Sequence, residues 1–335
     1  MGLKFVALLL KESSMMIRGL FTGFVLLLAM VVADVSALYA EQQFVASVIT
    51  GDLQRYRSAH DAFMKILRAG GMGEDKVKVY VQSPNPDAMS WANSIRKAVG
   101  GGADLIITYG APVTLVAKKE AKGIPLLFAD VYDPVALGIV KDLAATGGAI
   151  SGIASTTPVE TLARTLVDIQ APKAILALFS SSEQGSLLQE KRMEEQGKKL
   201  GFSVTKIDVK SRDAAKQAIR DASGKADAVY ITESVLLTQG LQDLITTATE
   251  NHLPVLTQIP EAGEKGALLT LEADPVEQGQ LLAVHALQVL GGQKVFTLPV
   301  RTPKKVALVV NMKVAEDLGI KVPFQALSLA TRVIK

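Results

Sequence analysis

Cysteine is absent from all 335 residues. That excludes disulfides, thiolate metal sites, thiol nucleophiles and a lipid-modified N-terminal cysteine. Histidine is almost as scarce. His60, His252 and His285 stand far apart with no ligand pair at helical spacing, so no metal is expected. Neither sign of charge is in excess: 36 basic against 33 acidic residues leave +3. With no polybasic tract or basic-aromatic stripe, no nucleic-acid partner is expected. Signature loops are missing as well. No G-x-x-x-x-G-K-[ST], no G-x-G-x-x-G after a strand, no G-x-S-x-G and no H-E-x-x-H occurs. No cofactor is implied, and Asp130 with Asp133 is a carboxylate pair lacking any nucleophile with its base, so the chain is not expected to be an enzyme.

What is present begins with the N-terminus. Arg18 precedes an apolar run over 19–33, and small residues close it at Val35-Ser36-Ala37 or Ala37-Leu38-Tyr39-Ala40. This is the layout of a signal peptide, too short for a comfortable membrane span. Residues 1–40 are therefore expected to be removed, and Met15 or Met16 is read as the real start because residues 1–14 add nothing a signal needs. The mature protein is expected to be exported, periplasmic, untethered and monomeric.

From residue 44 onward, short apolar runs alternate with amphipathic stretches. Eleven strands are predicted, at 44–49, 76–81, 104–108, 125–129, 149–153, 174–179, 203–208, 227–232, 254–258, 266–271 and 306–310. Continuous apolar runs of this length suit strands buried on both faces, as in parallel sheets. Helical faces are read from Tyr56, Ala59, Phe63, Ile66 and Leu67, and from Met89, Ala92, Ile95 and Val99. Two more are Leu162, Leu166, Ile169 and Leu241, Leu244, Ile245, Ala248. Thr157-Pro158-Val159-Glu160 reads as a capping box with proline at the first helical position.

Eleven strands are too many for one ordinary sheet, which predicts an α/β chain of two similar doubly wound parallel-sheet lobes joined by a multi-strand hinge. The first lobe is expected over 41–153 plus about 270–292, the second over 154–269 plus about 293–310. Residues 311–335 are expected to return to the first lobe.

In open α/β sheets, ligands bind outside the carboxyl ends of strands. The exits here are Thr50-Gly51-Asp52, Tyr109-Gly110-Ala111-Pro112 and Asp130-Val131-Tyr132-Asp133-Pro134, then Ser180-Ser181-Ser182-Glu183 and Thr232-Glu233-Ser234. Serine, threonine and aspartate at such places also serve simply as helix caps. Facing one another across a cleft, they would enclose a small polar molecule. Hydroxyls and N–H groups would take a carboxylate, Asp or Glu an ammonium, and Tyr109 or Tyr132 an apolar face.

Residues 104–140 carry a strand, a Gly-x-Pro turn, a helix, Ile124-Pro125 before a strand, then Asp133-Pro134-Val135 with a later glycine. This resembles the signature region of the ABC-transporter substrate-binding proteins that include the tryptophan/tyrosine-type binders. The stretches 147–155, 179–202 and 298–323 resemble the family's crossover, second-lobe strand and helix, and closing segment. The resemblance implies a type I periplasmic-binding-protein fold, two lobes that close on a small-molecule ligand, and delivery to an ABC transporter permease. It also implies ligand contacts from Gly110, Ala111 and Pro112, with Asp130 and Tyr132 nearby. In the second lobe it implies Ser181, Ser182, Glu183, Ser186, Thr232, Glu233 and Ser234. Gly185, Glu233-Ser234, Glu272 and Pro275 depart from the family's pattern, so an amino-acid-like or other carboxylate-bearing ligand is all that carries over. Two alternatives share the fold: a sensing module feeding a receptor or regulator, and a two-lobed enzyme using Asp130 or Glu233 as base.

Overall fold

The computed structural model describes residues 42–335, so the signal segment expected over 1–40 lies outside the described residues. The first lobe opens with β1 (Gln43–Ile49), α1 (Gln54–Ala69), β2 (Val77–Gln82) and α2 (Ala88–Gly100). It continues through β3 (Leu105–Tyr109), α3 (Ala111–Glu120), β4 (Leu126–Val131) and β5 (Ile150–Ala154). These five strands pair in the order β2-β1-β3-β4-β5, all parallel.

The chain then crosses to the second lobe. There α4 (Val159–Gln170), β6 (Ala174–Phe179), α5 (Gln184–Leu200), β7 (Ser203–Asp208) and α6 (Arg212–Ala222) follow in turn. Next come β8 (Ala228–Ile231), α7 (Val235–Gln239), α8 (Leu241–Glu250), β9 (Val255–Thr257) and β10 (Leu269–Ala273). Helix α9 (Pro275–Leu290) returns to the first lobe. The last elements are β11 (Val306–Asn311), α10 (Met312–Asp317), α11 (Phe324–Leu329) and β12 (Arg332–Ile334). The second sheet runs β12-β11-β10-β9-β8-β6-β7, parallel except where β11 meets β10.

The inner strands of each sheet, such as β3, β8 and β9, are buried on both faces, which is why they read as short apolar runs, while the edge strands β2, β7 and β12 are partly exposed. In the first lobe, Val45, Leu105, Ile107 and Leu127 pack against Phe63 and Leu67 of α1 and Leu282 and Ala286 of α9. Burying each such large side chain contributes about 1.5–3 kcal/mol. Helices α1 and α9 touch backbone to backbone. A Cβ on Gly279 would lie 1.9 Å from the Ala59 carbonyl oxygen, so only glycine allows this approach.

The lobes join through three connections, at 155–158, at Asp274 and over 302–305. They are stitched together. Ala154 N–H donates to the Arg301 carbonyl at 2.8 Å, Arg301 N–H to Gly152 at 3.0 Å, and Asp274 N–H to Lys305 at 3.0 Å.

Several expectations need correcting. Residues 311–335 stay with the second lobe: β12 pairs with the free edge of β11, Val310 opposite Val333, and thereby satisfies its backbone groups. It is a twelfth strand, short and partly exposed. Residues 293–301 remain on the first lobe, where Val295 and Val300 enter the core and Ser151 Oγ donates to the Leu298 carbonyl. The return to the first lobe begins after Ala273, because β10 belongs to the second sheet. Met89 is 74% exposed; the buried face of α2 is Trp91, Ala92, Ser94, Ile95 and Ala98. Pro158, not Thr157, stands at the start of α4 and no side chain caps it. Thr157 Oγ1 instead accepts from the buried Gln258 amide.

Candidate functional site

The strand exits of both lobes face each other. On the first lobe, β3 ends at Gly110, whose φ of 97° takes the chain into a region closed to other residues. A Cβ there would sit 2.5 Å from the Tyr56 hydroxyl and 3.4 Å from Thr50 Oγ1. The turn thus lets the start of α3 approach Tyr56 directly. As the first residue of α3, Ala111 has an N–H with no intrahelical acceptor. Strand β4 loses register with β5 between Phe128 and Val131, and Asp130 stands in that bulge with φ 54°. A bulge of this kind re-aims a side chain. The Asp130 N–H is satisfied by Gln278 Oε1 on α9 at 2.9 Å.

The second lobe supplies a hydroxyl chain. Ser180 N–H donates to Ser186 Oγ, which lies 2.6 Å from Thr232 Oγ1, and Thr232 Oγ1 donates to the Leu178 carbonyl. These bonds fix the β6 and β8 exits against each other. Glu183 Oε1 accepts from Val235 N–H at 2.8 Å, and Ser234 Oγ caps α7 by accepting from Leu237 N–H.

Between the lobes lies a cavity of about 30 Å³. Arg55, Tyr56, Ala111, Pro112, Asp130 and Tyr132 line it from one side; Glu183, Gly185, Ser186 and Glu233 line it from the other. Arg55 dominates it. Its Nε lies 2.7 Å from Asp130 Oδ2, a close charge contact in which neither atom is aligned for a hydrogen bond. It also donates to the Tyr56 hydroxyl at 3.1 Å and, across the cleft, to Thr238 Oγ1 at 3.3 Å, with Glu233 Oε1 3.9 Å away. A second cross-cleft contact joins Arg192 of α5 to the Tyr132 hydroxyl at 3.1 Å and to the Asp133 carboxylate, with the guanidinium 5.1 Å from the Tyr132 ring centre. These direct contacts make the arrangement a closed one.

Three carboxylates share one guanidinium in this enclosed space. Burial pushes the Glu183 carboxyl up to about 7 and raises that of Glu233, against the opposing pull of Arg55. Burial works against the Arg55 charge, but Tyr56, Asp130 and Glu233 outweigh it and hold the guanidinium protonated. The cavity therefore offers a fixed cation, a helix N-terminus and carboxylates able to pair with an ammonium.

Of the exit residues singled out in the sequence, Ala111, Pro112, Asp130, Tyr132, Glu183, Ser186 and Glu233 meet at this cavity. Gly110, Thr50, Thr232 and Ser234 stand behind them, shaping the turns. Tyr109 does not line the cavity. It points into the first-lobe core, with its hydroxyl 3.0 Å from His60 Nδ1. Asp52 is exposed and paired with Arg57. Ser181 is turned outward to Asp208, and the exposed Ser182 meets Ser180. Sequence reading missed Arg55, Tyr56, Gln189 and Arg192. The only signal for Tyr56 was its place on the apolar face of α1, and an arginine at a helix start carries none. Among the described residues, no cluster of His, Asp and Glu is arranged to hold a metal.

The sequence pattern of the family described as "ABC transporter substrate binding protein" matches residues 45–334. The chain belongs to the ABC transporter substrate-binding protein family. A "Tyrosine-binding protein" of Clostridioides difficile (strain R20291) is 27% identical over 256 residues, 76% of this chain and 74% of its own length. A Streptococcus pneumoniae ABC domain solved in complex with L-Trp superposes with a TM-score of 0.82 at 23% identity, covering 88% of this chain and 100% of that one. A conserved domain protein from Vibrio cholerae fits equally, at 0.82 and 22% identity, with the same coverage. The fold is that of type I periplasmic binding proteins, shared with a leucine-binding protein of Thermotoga maritima at a TM-score of 0.60. As a member of this family of substrate-binding proteins, the chain is a solute-binding protein of ABC transport.

Proposed function

We propose that this protein, exported through residues 1–40 into the periplasm, captures a small amino-acid-like ligand between its lobes and delivers it, as a monomer, to an ABC permease. One observation carries the reading. The first lobe brings Arg55 and the N-terminus of α3 to the same closed cavity where Asp130, Glu183 and Glu233 converge. A carboxylate fits the first pair and an ammonium the second. Tyr56 and Tyr132 add aromatic faces. The tyrosine of the Clostridioides difficile relative's name and the L-Trp bound in the Streptococcus pneumoniae structure are ligands of this class.

A cavity of about 30 Å³ is far below the hundreds of cubic ångströms that an amino acid needs, so entry requires the lobes to part and Arg55 to shift. Contacts to both lobes are what let a ligand favour the closed form. Mass spectrometry of small molecules released from purified protein, followed by titration calorimetry of those found, tests the reading. Recovery and rebinding of an amino acid or related carboxylate is expected. Finding only uncharged sugars, or steady turnover of the bound molecule, would overturn it. Stimulation of ATP hydrolysis by the reconstituted permease tests the delivery step.

A further inference from the structure

Arg55 has two faces. One closes the 30 Å³ cavity, and the other lines a larger cavity of about 310 Å³ between residues 52–55, at the start of α1, and the second lobe. The charges around the two spaces are segregated. The inner cavity holds the carboxylates of Asp130, Glu183 and Glu233. The outer one is lined by Arg212, Lys265, Leu241 and Ile259 of the second lobe.

Neither Arg212 nor Lys265 joins an ion pair among the described residues; Arg212 reaches only Gln239 Oε1, at 3.3 Å. Of the two acids at the rim, Asp52 is already paired with Arg57, which leaves Glu261 as the one unpaired carboxylate facing two unpaired cations. From inside to outside, the cleft thus runs from carboxylates, through a guanidinium, to an excess of positive charge.

We propose that the two cavities are one binding cleft divided by Arg55, and that its ligand is an amino acid with a second acidic group in its side chain. This rests on the solute-binding reading above and narrows its ligand class. The ammonium would lie inward among Asp130, Glu183 and Glu233, and the α-carboxylate at Arg55 and the start of α3. The distal acid would lie outward at Arg212 and Lys265, its methylenes over Leu241 and Ile259. A guanidinium shared by both chambers is placed to hold the middle of such a molecule. Its unaligned contact with Asp130 leaves it free to form a better bond to a carboxylate.

Titration calorimetry of the whole purified protein with L-glutamate, L-glutamine, L-tyrosine and L-tryptophan tests this. Glutamate is expected to bind at least about tenfold more tightly than its uncharged isostere glutamine, as a charge-assisted hydrogen bond supplies. In the Arg212→Ala/Lys265→Ala double variant the glutamate-to-glutamine ratio is expected to fall to about one, with the circular dichroism melt confirming the fold. Glutamine binding as tightly as glutamate would overturn the proposal. So would tyrosine or tryptophan binding in preference to glutamate, which would leave the solute-binding reading standing. Silence of all four overturns the acidic ligand class, and the released-ligand mass spectrum then judges the broader reading separately.

Discussion

Gln189 and Glu233 hold one another through two hydrogen bonds of 2.7 Å. The Gln189 amide nitrogen donates to Glu233 Oε2, and the Glu233 N–H donates to Gln189 Oε1. Gln189 is fully buried on α5, so this pair fixes the Glu233 carboxylate where it lines the cavity. Gln189→Ala strands a main-chain donor and a carboxylate oxygen at once. A loss of about 1–3 kcal/mol in stability is expected, together with weaker ligand binding. Urea denaturation and calorimetry read the two effects; a variant matching the parent in both would remove Gln189 from this role.

Gly110→Ala is expected to harm the site more than the surrounding fold. The new methyl must occupy a left-handed backbone and displace the Tyr56 hydroxyl, which otherwise lies 2.5 Å from it. Strain of this kind costs about 1–3 kcal/mol. The melting temperature should fall and ligand affinity with it; an affinity equal to the parent's would show that the turn does not shape the cavity.

Glu183 gives the protein a pH dependence of known sign. Its carboxyl titrates at 4.5 in the ordinary case and at about 7 in the fold, because burial disfavours the charged form. Below 4.5 it is protonated in both states and its contribution to stability is intact. Between 4.5 and about 7 the unfolded chain releases the proton while the folded one keeps it, so stability falls as pH rises. Glu183→Gln keeps an oxygen for Val235 N–H and removes the titration. Thermal melts across that interval should therefore slope less for the variant than for the parent, and identical slopes would refute the assignment.

Arg192→Ala removes the clasp that α5 of the second lobe places on Tyr132 and Asp133 of the first. The pair is partly exposed, so screening limits its worth to about 1 kcal/mol, roughly a fivefold loss of affinity. Small-angle scattering should show a more open average shape at subsaturating ligand. Unchanged scattering and affinity would mean the clasp is incidental.

The alternation of apolar runs and amphipathic helices made the two-lobed α/β fold legible, because strands buried on both faces cannot hide their composition. Gly110 was legible for a similar reason: a glycine between a strand and a proline-bearing helix start has few other uses. Arg55 was not. Lysine and arginine are almost never buried unless paired, and its partners, Asp130 and Glu233, come from distant strand exits. Tyr109 was misjudged because every residue of β3 is buried, so nothing in the run tells the core side from the cleft side. β12 was missed because three half-exposed residues carry no period.

Helix α9 completes the first lobe, yet it is encoded after β6 to β10 of the second. As the chain emerges from the ribosome, the five-stranded sheet is finished long before the helix that covers α1. Until then the apolar surface formed by Phe63, Leu67 and Ile107 has no lid, so neither lobe can mature on its own from one uninterrupted piece of gene.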